Sequence, residues 1–262
     1  MLSLRGITAP PKRTTFDVVE LILGKVGKIV RGGDVLVISS KFLAISEGRV
    51  ARLASVRTSQ GAKEMAERYH VDGRLCELVI RESDEIIGGI PGFILTSKDG
   101  ILTPNAGIDK SNIAHGMVVL YPRRPDELAR MIRNAIKFAT GALIGIVICD
   151  SRLSPTRKGT IGVTLAASGL EAILDMRGRE DLFGNVLKVT SQAIADDLSS
   201  AAEILMGESD EATPIVLIRG LKPGLVRNID YAPGKFAISA SDCVYMRSLG
   251  RGAEGTNHGI CF

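Results

Sequence analysis

Residues 144–151 read Ile-Gly-Ile-Val-Ile-Cys-Asp-Ser. The apolar run from Ile144 to Cys149 is too short for an ordinary helix and is bounded by polar residues, so it predicts a strand buried on both faces. The run stops at Asp150, which the pattern places just past the strand's carboxyl end, with the hydroxyl of Ser151 beside it. Sites in sheets of buried strands gather at such ends. Two readings of Asp150 stay open from the residues alone: a metal ligand, or the cap of a turn or helix.

Val35–Ser39 and Pro214–Ile218 are two more buried strands, and 86–108 reads as strand segments broken by Gly, Pro and Asp turns. Helical spacing recurs four times. Residues 14–30 place Phe16, Val19, Leu23, Val26 and Val30 on one face, with Thr14 and Asp17 spaced like a capping box. Residues 61–70 form a short helix. Residues 125–139 turn Leu128, Met131, Ile132, Ala135 and Ala139 inward, and 191–206 turn Ile194, Leu198, Ala202 and Leu205 inward before Gly207 ends the helix. Residues 151–185 carry glycine, charge and turn residues and read as irregular. Without a regular βαβ repeat, the fold class is α+β: mixed or antiparallel sheets with packed helices, no Rossmann unit. Residues 1–249 are expected to form one domain, any division into two lobes falling near 81–86 or near 210. Residues 250–262 form a glycine-rich tail, expected to be poorly ordered.

A chain of 262 residues with 45% hydrophobic side chains can bury a sizeable core. Its net charge of +4, 4% aromatic content and lack of Trp argue against nucleic acid and suit small anions such as phosphates or carboxylates. Four cysteines (Cys76, Cys149, Cys243, Cys261) and three histidines (His70, His115, His258) show no zinc-binding spacing. The thiols read as reduced, pointing to the cytoplasm. The first residues lack a signal-peptide core, and the run 142–149 is too short to span a bilayer.

No GxxxxGK[ST] or GxSxG is present and no GxGxxG follows a strand, so a nucleotide would have to bind without a P-loop or a Rossmann fingerprint. Asn105-Ala-Gly-Ile-Asp109-Lys-Ser-Asn112 offers a glycine turn, a carboxylate and neutral hydrogen-bonding groups. Mg²⁺ or Mn²⁺ needs little more than one or two carboxylates plus substrate phosphates, although the same residues make ordinary Asx turns. Arg157, among the glycines and hydroxyls of 151–162, could fork onto a phosphate or belong to a solvated loop. Asp175-Met-Arg177-Gly178-Arg-Glu-Asp181 is a similar charge-dense segment. Lys41, after Ser39 and Ser40, could touch phosphate or be solvated. Glu208, after Gly207, could reach a metal or lie on the surface.

Together these segments resemble the coenzyme F420-0:L-glutamate ligase family, the F420:gamma-glutamyl ligases. The resemblance rests on Gly100–Asn112, on Asp150-Ser151 with Pro155, Arg157, Gly159 and Gly162, on Asp175-x-Arg177-Gly178-x-x-Asp181-x-x-Gly184, and on Ala195-Asp196-Asp197-Leu198 through Met206-Gly207-Glu208 and Ile218-Arg219-Gly220. It implies a GTP-dependent ligase that joins L-glutamate to a deazaflavin coenzyme precursor, with further γ-linked glutamates, through an acyl phosphate. It further implies Mg²⁺ or Mn²⁺, assistance from K⁺, and a homodimer. Carried over by motif, Asp109, Asp150, Ser151 and Glu208 are metal ligands. Ser40, Lys41, Asn112, Gly207 and Glu208 lie at the nucleotide, and Arg157 joins Asp109 and Asp150 in catalysis. The sequence departs from the family at Ala44-Ile45-Ser46, where a serine-lysine pair is usual, at Leu153-Ser154-Pro155, where Gly-Arg-Pro is usual, and at Thr14-Thr15-Phe16-Asp17. These departures keep open an amide ligase for a different carboxylic acid. A non-catalytic GTP- and metal-binding relative is the other alternative.

Overall fold

The apolar run at 144–149 does form a strand, but the strand outlasts it. In the computed structural model, which describes residues 1–249, the strand spans Gly145–Leu153. The tail at 250–262, with His258 and Cys261, lies outside the described residues.

In chain order the first part holds β1 (Ser3–Ile7), α1 (Val18–Val26), β2 (Val35–Ser39), α2 (Ser40–Ser46), β3 (Val50–Arg52), α3 (Gln60–Tyr69) and α4 (Gly73–Glu82). Next come β4 (Glu85–Ile90), β5 (Phe93–Lys98), β6 (Ile101–Pro104), β7 (Met117–Val119), α5 (Pro125–Thr140) and β8 (Gly145–Leu153). The chain continues through β9 (Thr160–Leu170), β10 (Leu174–Asp175), β11 (Ser191–Gln192), α6 (Ile194–Met206), β12 (Ile215–Arg219), β13 (Val226–Tyr231) and α7 (Val244–Ser248).

The main sheet runs β1-β12-β2-β8-β9-β13. Only β2 and β8 pair in parallel, from Val35↔Gly145 to Ser39↔Cys149. The three apolar runs are its centre, and helices cover both faces. Leu36, Ile38, Ile146 and Ile148 pack with Ile22, Val26, Ile132 and Ile136 of α1 and α5. The alternate residues Val35, Val37, Val147 and Cys149 pack with Ile194, Leu198, Ala202 and Met206 of α6. Covering both faces is why these strands are unbroken apolar runs. Residues 51–120 gather a third core around Leu75, Val79, Ile94 and Val118, between α3, α4 and the small sheet β4-β5-β6. The α+β expectation agrees with this architecture.

Details differ from the sequence reading. Asp150 lies inside β8, not past its end; the strand that stops at this level is β2. Helix α1 starts only at Val18, because Asp17 is its cap and accepts from the Glu20 amide at 2.9 Å. The buried stripe of α5 is Ala129, Ile132 and Ile136, leaving Met131 and Ala139 exposed. The segment read as irregular contains the 11-residue β9. Its Gly162, Ala166 and Ala167 carry little apolar signal because helices press on both faces. Between Ile148↔Ala166 and Cys149↔Thr164 the pairing slips by one residue, so Leu165 is an extra residue in β9. Leu165 and Ala166 thus share the α1/α5 layer, and the slip turns Thr164 and Gly162 towards α6. Thr164 Oγ1 meets Ser199 Oγ at 3.0 Å, and the Thr164 amide donates to Asp196 Oδ1 at 2.8 Å.

Gly162 sets how close α6 can come. A Cβ there would lie 2.3 Å from the Ser199 carbonyl carbon. Gly162→Ala is expected to lose about 1–3 kcal/mol, as overpacking against backbone does. Urea denaturation checks this; an unchanged midpoint would show that α6 does not rest on the glycine.

Candidate active site

β2 ends at Ser39, whereas β8 and β9 run on as a hairpin through Leu153 and Thr160. The chain leaving β2 turns at once into α2, setting Ser40 and Lys41 beside the unaccompanied part of β8. Ser40 Oγ donates to Asp150 Oδ1 at 2.8 Å. Arg152 lies two residues on, so it shares a face with Asp150, and its Nη2 stands 3.6 Å from Asp150 Oδ2.

Asp109 arrives from the other core. Asn105, Ala106 and Gly107 all have positive φ, at 50°, 55° and 71°. This turn is pinned by side chains: Asn105 Oδ1 accepts from the Ile94 amide at 3.0 Å, and Thr96 Oγ1 from the Ala106 amide at 3.0 Å. The side of Gly107 that lacks a Cβ faces the Tyr121 ring, 2.7 Å from where a Cβ would sit. The glycine therefore makes room for an aromatic ring. Beyond it, Asp109 exchanges backbone hydrogen bonds with Val119. Its Oδ1 accepts from the Ser111 amide at 2.6 Å, and its Oδ2 lies 2.5 Å from Lys41 Nζ. The Asx turn is real, yet it still presents the carboxylate to the site. Lys41 Nζ also donates to Ser111 Oγ at 2.7 Å.

The third contribution comes from the end of α6. Glu208 follows Gly207, accepting from Thr160 Oγ1 and, at 3.5 Å, from Ser151 Oγ. Glu203 points into the same space. Asp109, Asn112, Asp150, Ser151, Glu203, Glu208 and Lys41 line a polar pocket of about 70 Å³. This pocket shares Ser39, Lys41, Asn112, Met206 and Gly207 with a larger cleft of about 450 Å³, whose walls add Lys12, Arg13, Phe42 and Ile45. Asn112 Nδ2 donates to the Ser209 carbonyl at 2.7 Å across that junction.

The acids differ electrostatically. Burial raises the Asp150 carboxyl above its ordinary range, against the pull of Arg152 and Ser40. Burial acts the same way on Asp109, but the Lys41 ammonium and Ser111 outweigh it and hold Asp109 low. Burial, then the neighbouring Glu208 carboxylate, pushes Glu203 up to about 7. Among the described residues, no three of His, Cys, Asp and Glu are gathered tightly enough to hold a metal alone. The donors still fit Mg²⁺ or Mn²⁺. They are hard oxygens, a substrate phosphate can complete the set, and the raised Asp150 and Glu203 mark negative charge that a cation would neutralise.

Of the residues singled out from sequence, Ser40, Lys41, Asp109, Asn112, Asp150, Ser151, Gly207 and Glu208 converge here. Arg157 does not: it is exposed in the turn between β8 and β9 and lines neither cavity. The exposed segment at 175–181 also stays apart; Arg177 grips Asp175 there, with Nη2 at 2.6 Å from Oδ2. Sequence reading gave no separate weight to Glu203 or Arg152. Helical spacing could have found Glu203, which lies four residues after Ser199 and three before Met206, both buried.

The sequence profile of the family described as F420-0:Gamma-glutamyl ligase matches residues 6–220. A protein of Methanopyrus kandleri named coenzyme F420:L-glutamate ligase is 41% identical over 196 residues, covering 74% of this chain and 78% of the relative. Proteins of the same name from Methanocaldococcus jannaschii and Methanothermobacter thermautotrophicus are 38% and 36% identical. They cover 79% and 87% of this chain, and 80% and 92% of their own lengths. Among the described residues, no helix is long and apolar enough to cross a membrane.

Glu203 generates a pH prediction. Burial and Glu208 push its carboxyl up to about 7 when folded, from an ordinary 4.5, so the folded state keeps a proton that the unfolded state loses. Stability should therefore fall as pH rises from about 4.5 to about 7. In metal-free protein, Glu203→Gln should flatten that part of the Tm–pH curve; an unaltered curve would contradict the assignment.

Proposed function

This chain belongs to the F420-0:gamma-glutamyl ligase family, and from that premise we propose that it joins L-glutamate to the carboxylate of a coenzyme F420 precursor through an amide bond. The observation that carries the reading is the convergence of Asp109, Asp150, Ser151 and Glu208 on one pocket that opens into a cleft bearing Lys12, Arg13 and Lys41. Acids for a cation beside cations for a phosphate suit phosphoryl transfer.

GTP is the proposed energy source. An oxygen of the acceptor carboxylate attacks the γ-phosphorus, the bond to the β-phosphate oxygen breaks, and GDP leaves. The acyl phosphate formed is then attacked by the glutamate amine; the carbon–oxygen bond breaks, phosphate departs, and the amine proton passes to solvent. Asp109, Asp150, Ser151 and Glu208 would hold the divalent cation, which would neutralise charge on phosphoryl oxygens. Lys41 exchanges Asp109 for phosphate as nucleotide enters, keeping one ammonium partnered throughout. Ser40 fixes one oxygen of Asp150. Asn112 and Gly207 sit where the polar pocket meets the larger cleft, a place for nucleotide. No protein nucleophile is needed. Positioning of reactants can contribute up to roughly 7–11 kcal/mol. Stimulation by K⁺, γ-linked extension, a cytoplasmic setting and a homodimer belong to the same proposal.

A different carboxylic acid as acceptor is the second reading, favoured by Ile45 in the wall of the larger cleft. Mass spectrometry separates the two. With GTP, Mn²⁺, L-glutamate and the coenzyme precursor, the product should be one glutamyl residue heavier, and Asp109→Asn or Asp150→Asn should slow it about 100-fold or more. A wild-type chain that leaves the precursor unchanged would sink the proposed acceptor; full activity in both variants would sink the proposed site.

A further inference from the structure

Arg152 is 4% exposed, although it stands beside a polar pocket. Its Nη1 donates to the Leu102 carbonyl of β6 at 2.7 Å. Its Nε and Nη2 have no hydrogen-bond partner, and Nη2 stays 3.6 Å from Asp150 Oδ2. Its other polar neighbours are the Asp150 carboxylate, ion-paired at 3.6 Å, and the buried Tyr121 hydroxyl; a guanidinium so incompletely bonded is costly to bury.

Other arginines of this chain behave differently. Arg219 grips Asp34 through two bonds, at 2.7 and 2.6 Å. Arg74 grips Asp72 in the same manner, at 3.0 and 2.6 Å. In each pair the guanidinium occupies both carboxylate oxygens. At Asp150 this grip is not made: Nη1 is bonded to Leu102, and Nη2 stands 3.6 Å from the carboxylate. Ser40 takes one oxygen and Arg152 faces the other from a distance, so the carboxylate is fixed yet keeps acceptor capacity on its pocket side.

We propose that Arg152 is a positioning residue, held back by Leu102 so that it orients Asp150 towards a divalent cation without saturating it. The assignment rests on the ligase-site reading above. Arg152 lines neither cavity, so it acts through Asp150 and not on substrate.

The test is Mn²⁺ binding by the full chain with GTP present and acceptor absent, at one fixed pH, read from the electron paramagnetic resonance signal of free Mn²⁺. Arg152→Met should weaken Mn²⁺ binding about 10- to 100-fold, the range seen when residues supporting a metal ligand are removed. Arg152→Lys keeps a buried cation but cannot hold Leu102 and face Asp150 in one planar geometry, so it should weaken binding by about 5- to 10-fold. Thermal melts show which variants fold. A purely structural role would lower Tm and leave the Mn²⁺ affinity of the folded protein intact. Wild-type affinity in folded Arg152→Met, or in Arg152→Lys if the methionine variant does not fold, would overturn the assignment. Wild-type protein that binds no Mn²⁺ would overturn it together with the reading of the pocket, whereas Mn²⁺ binding without ligase activity would leave Arg152 in place and fell only the proposed reaction.

Discussion

The site depends on a mismatch of strand lengths. β2 and β8 pair in parallel for five residues, and then β2 stops at Ser39 while β8 continues to Leu153. Beyond that level, one edge of β8 has lost its neighbour in the middle of the sheet, with Asp150 as its first residue. Backbone and side-chain polar groups exposed inside a domain must find partners. Here α2 begins at once, bringing the Ser40 hydroxyl and Lys41 ammonium into the gap. The same gap admits the end of α6 from the opposite layer and the Asp109 turn from the third core. Three separately built pieces meet only because one strand is short.

Such a place concentrates charge. Four carboxylates line the small pocket with one ammonium among them, and a buried guanidinium stands behind Asp150. Interactions of this kind are strong because little water screens them, and unfavourable for the same reason. The chain contains an ordinary structural solution for comparison. Asp34, 1% exposed, is satisfied by Arg219 and by the Arg31 amide at 2.7 Å. Asp34 has the partners it needs; in the pocket, burial instead holds Asp150 and Glu203 above the ordinary carboxylate range. Groups left with raised proton affinity in a cleft are typical of functional sites.

Much of this was legible in the sequence, for identifiable reasons. Buried strands announce themselves as apolar runs, so β2, β8 and β12 and their central place could be read directly. Asp150 stood out because it ends such a run, even though the strand does not end there. β9 was hidden because glycine and alanine accommodate close helices, and a strand of small residues resembles a loop. α2 was hidden because Ser40-Lys-Phe-Leu-Ala-Ile-Ser46 is too short to show a period. Arg152 was illegible for another reason: its meaning comes from Leu102, fifty positions away, and from a distance to Asp150 that no spacing rule encodes. Arg157 looked more informative only because its neighbours are turn residues rich in hydrogen-bonding groups.

The extra residue at Leu165 bears on how this chain can change in length. Because side chains alternate from face to face, the slip decides that Gly162 and Thr164 meet α6 while Ala166 meets the opposite layer. Loss or gain of one codon between 162 and 166 would exchange the two sets, pressing Leu165 against the backbone of Ser199 and turning a hydroxyl into the aliphatic layer. The turn at 154–159, exposed at nearly every position, has no such bookkeeping and can lengthen or shorten freely. Within one hairpin, then, related chains should vary in length at the tip and hold a fixed residue count only a few positions away.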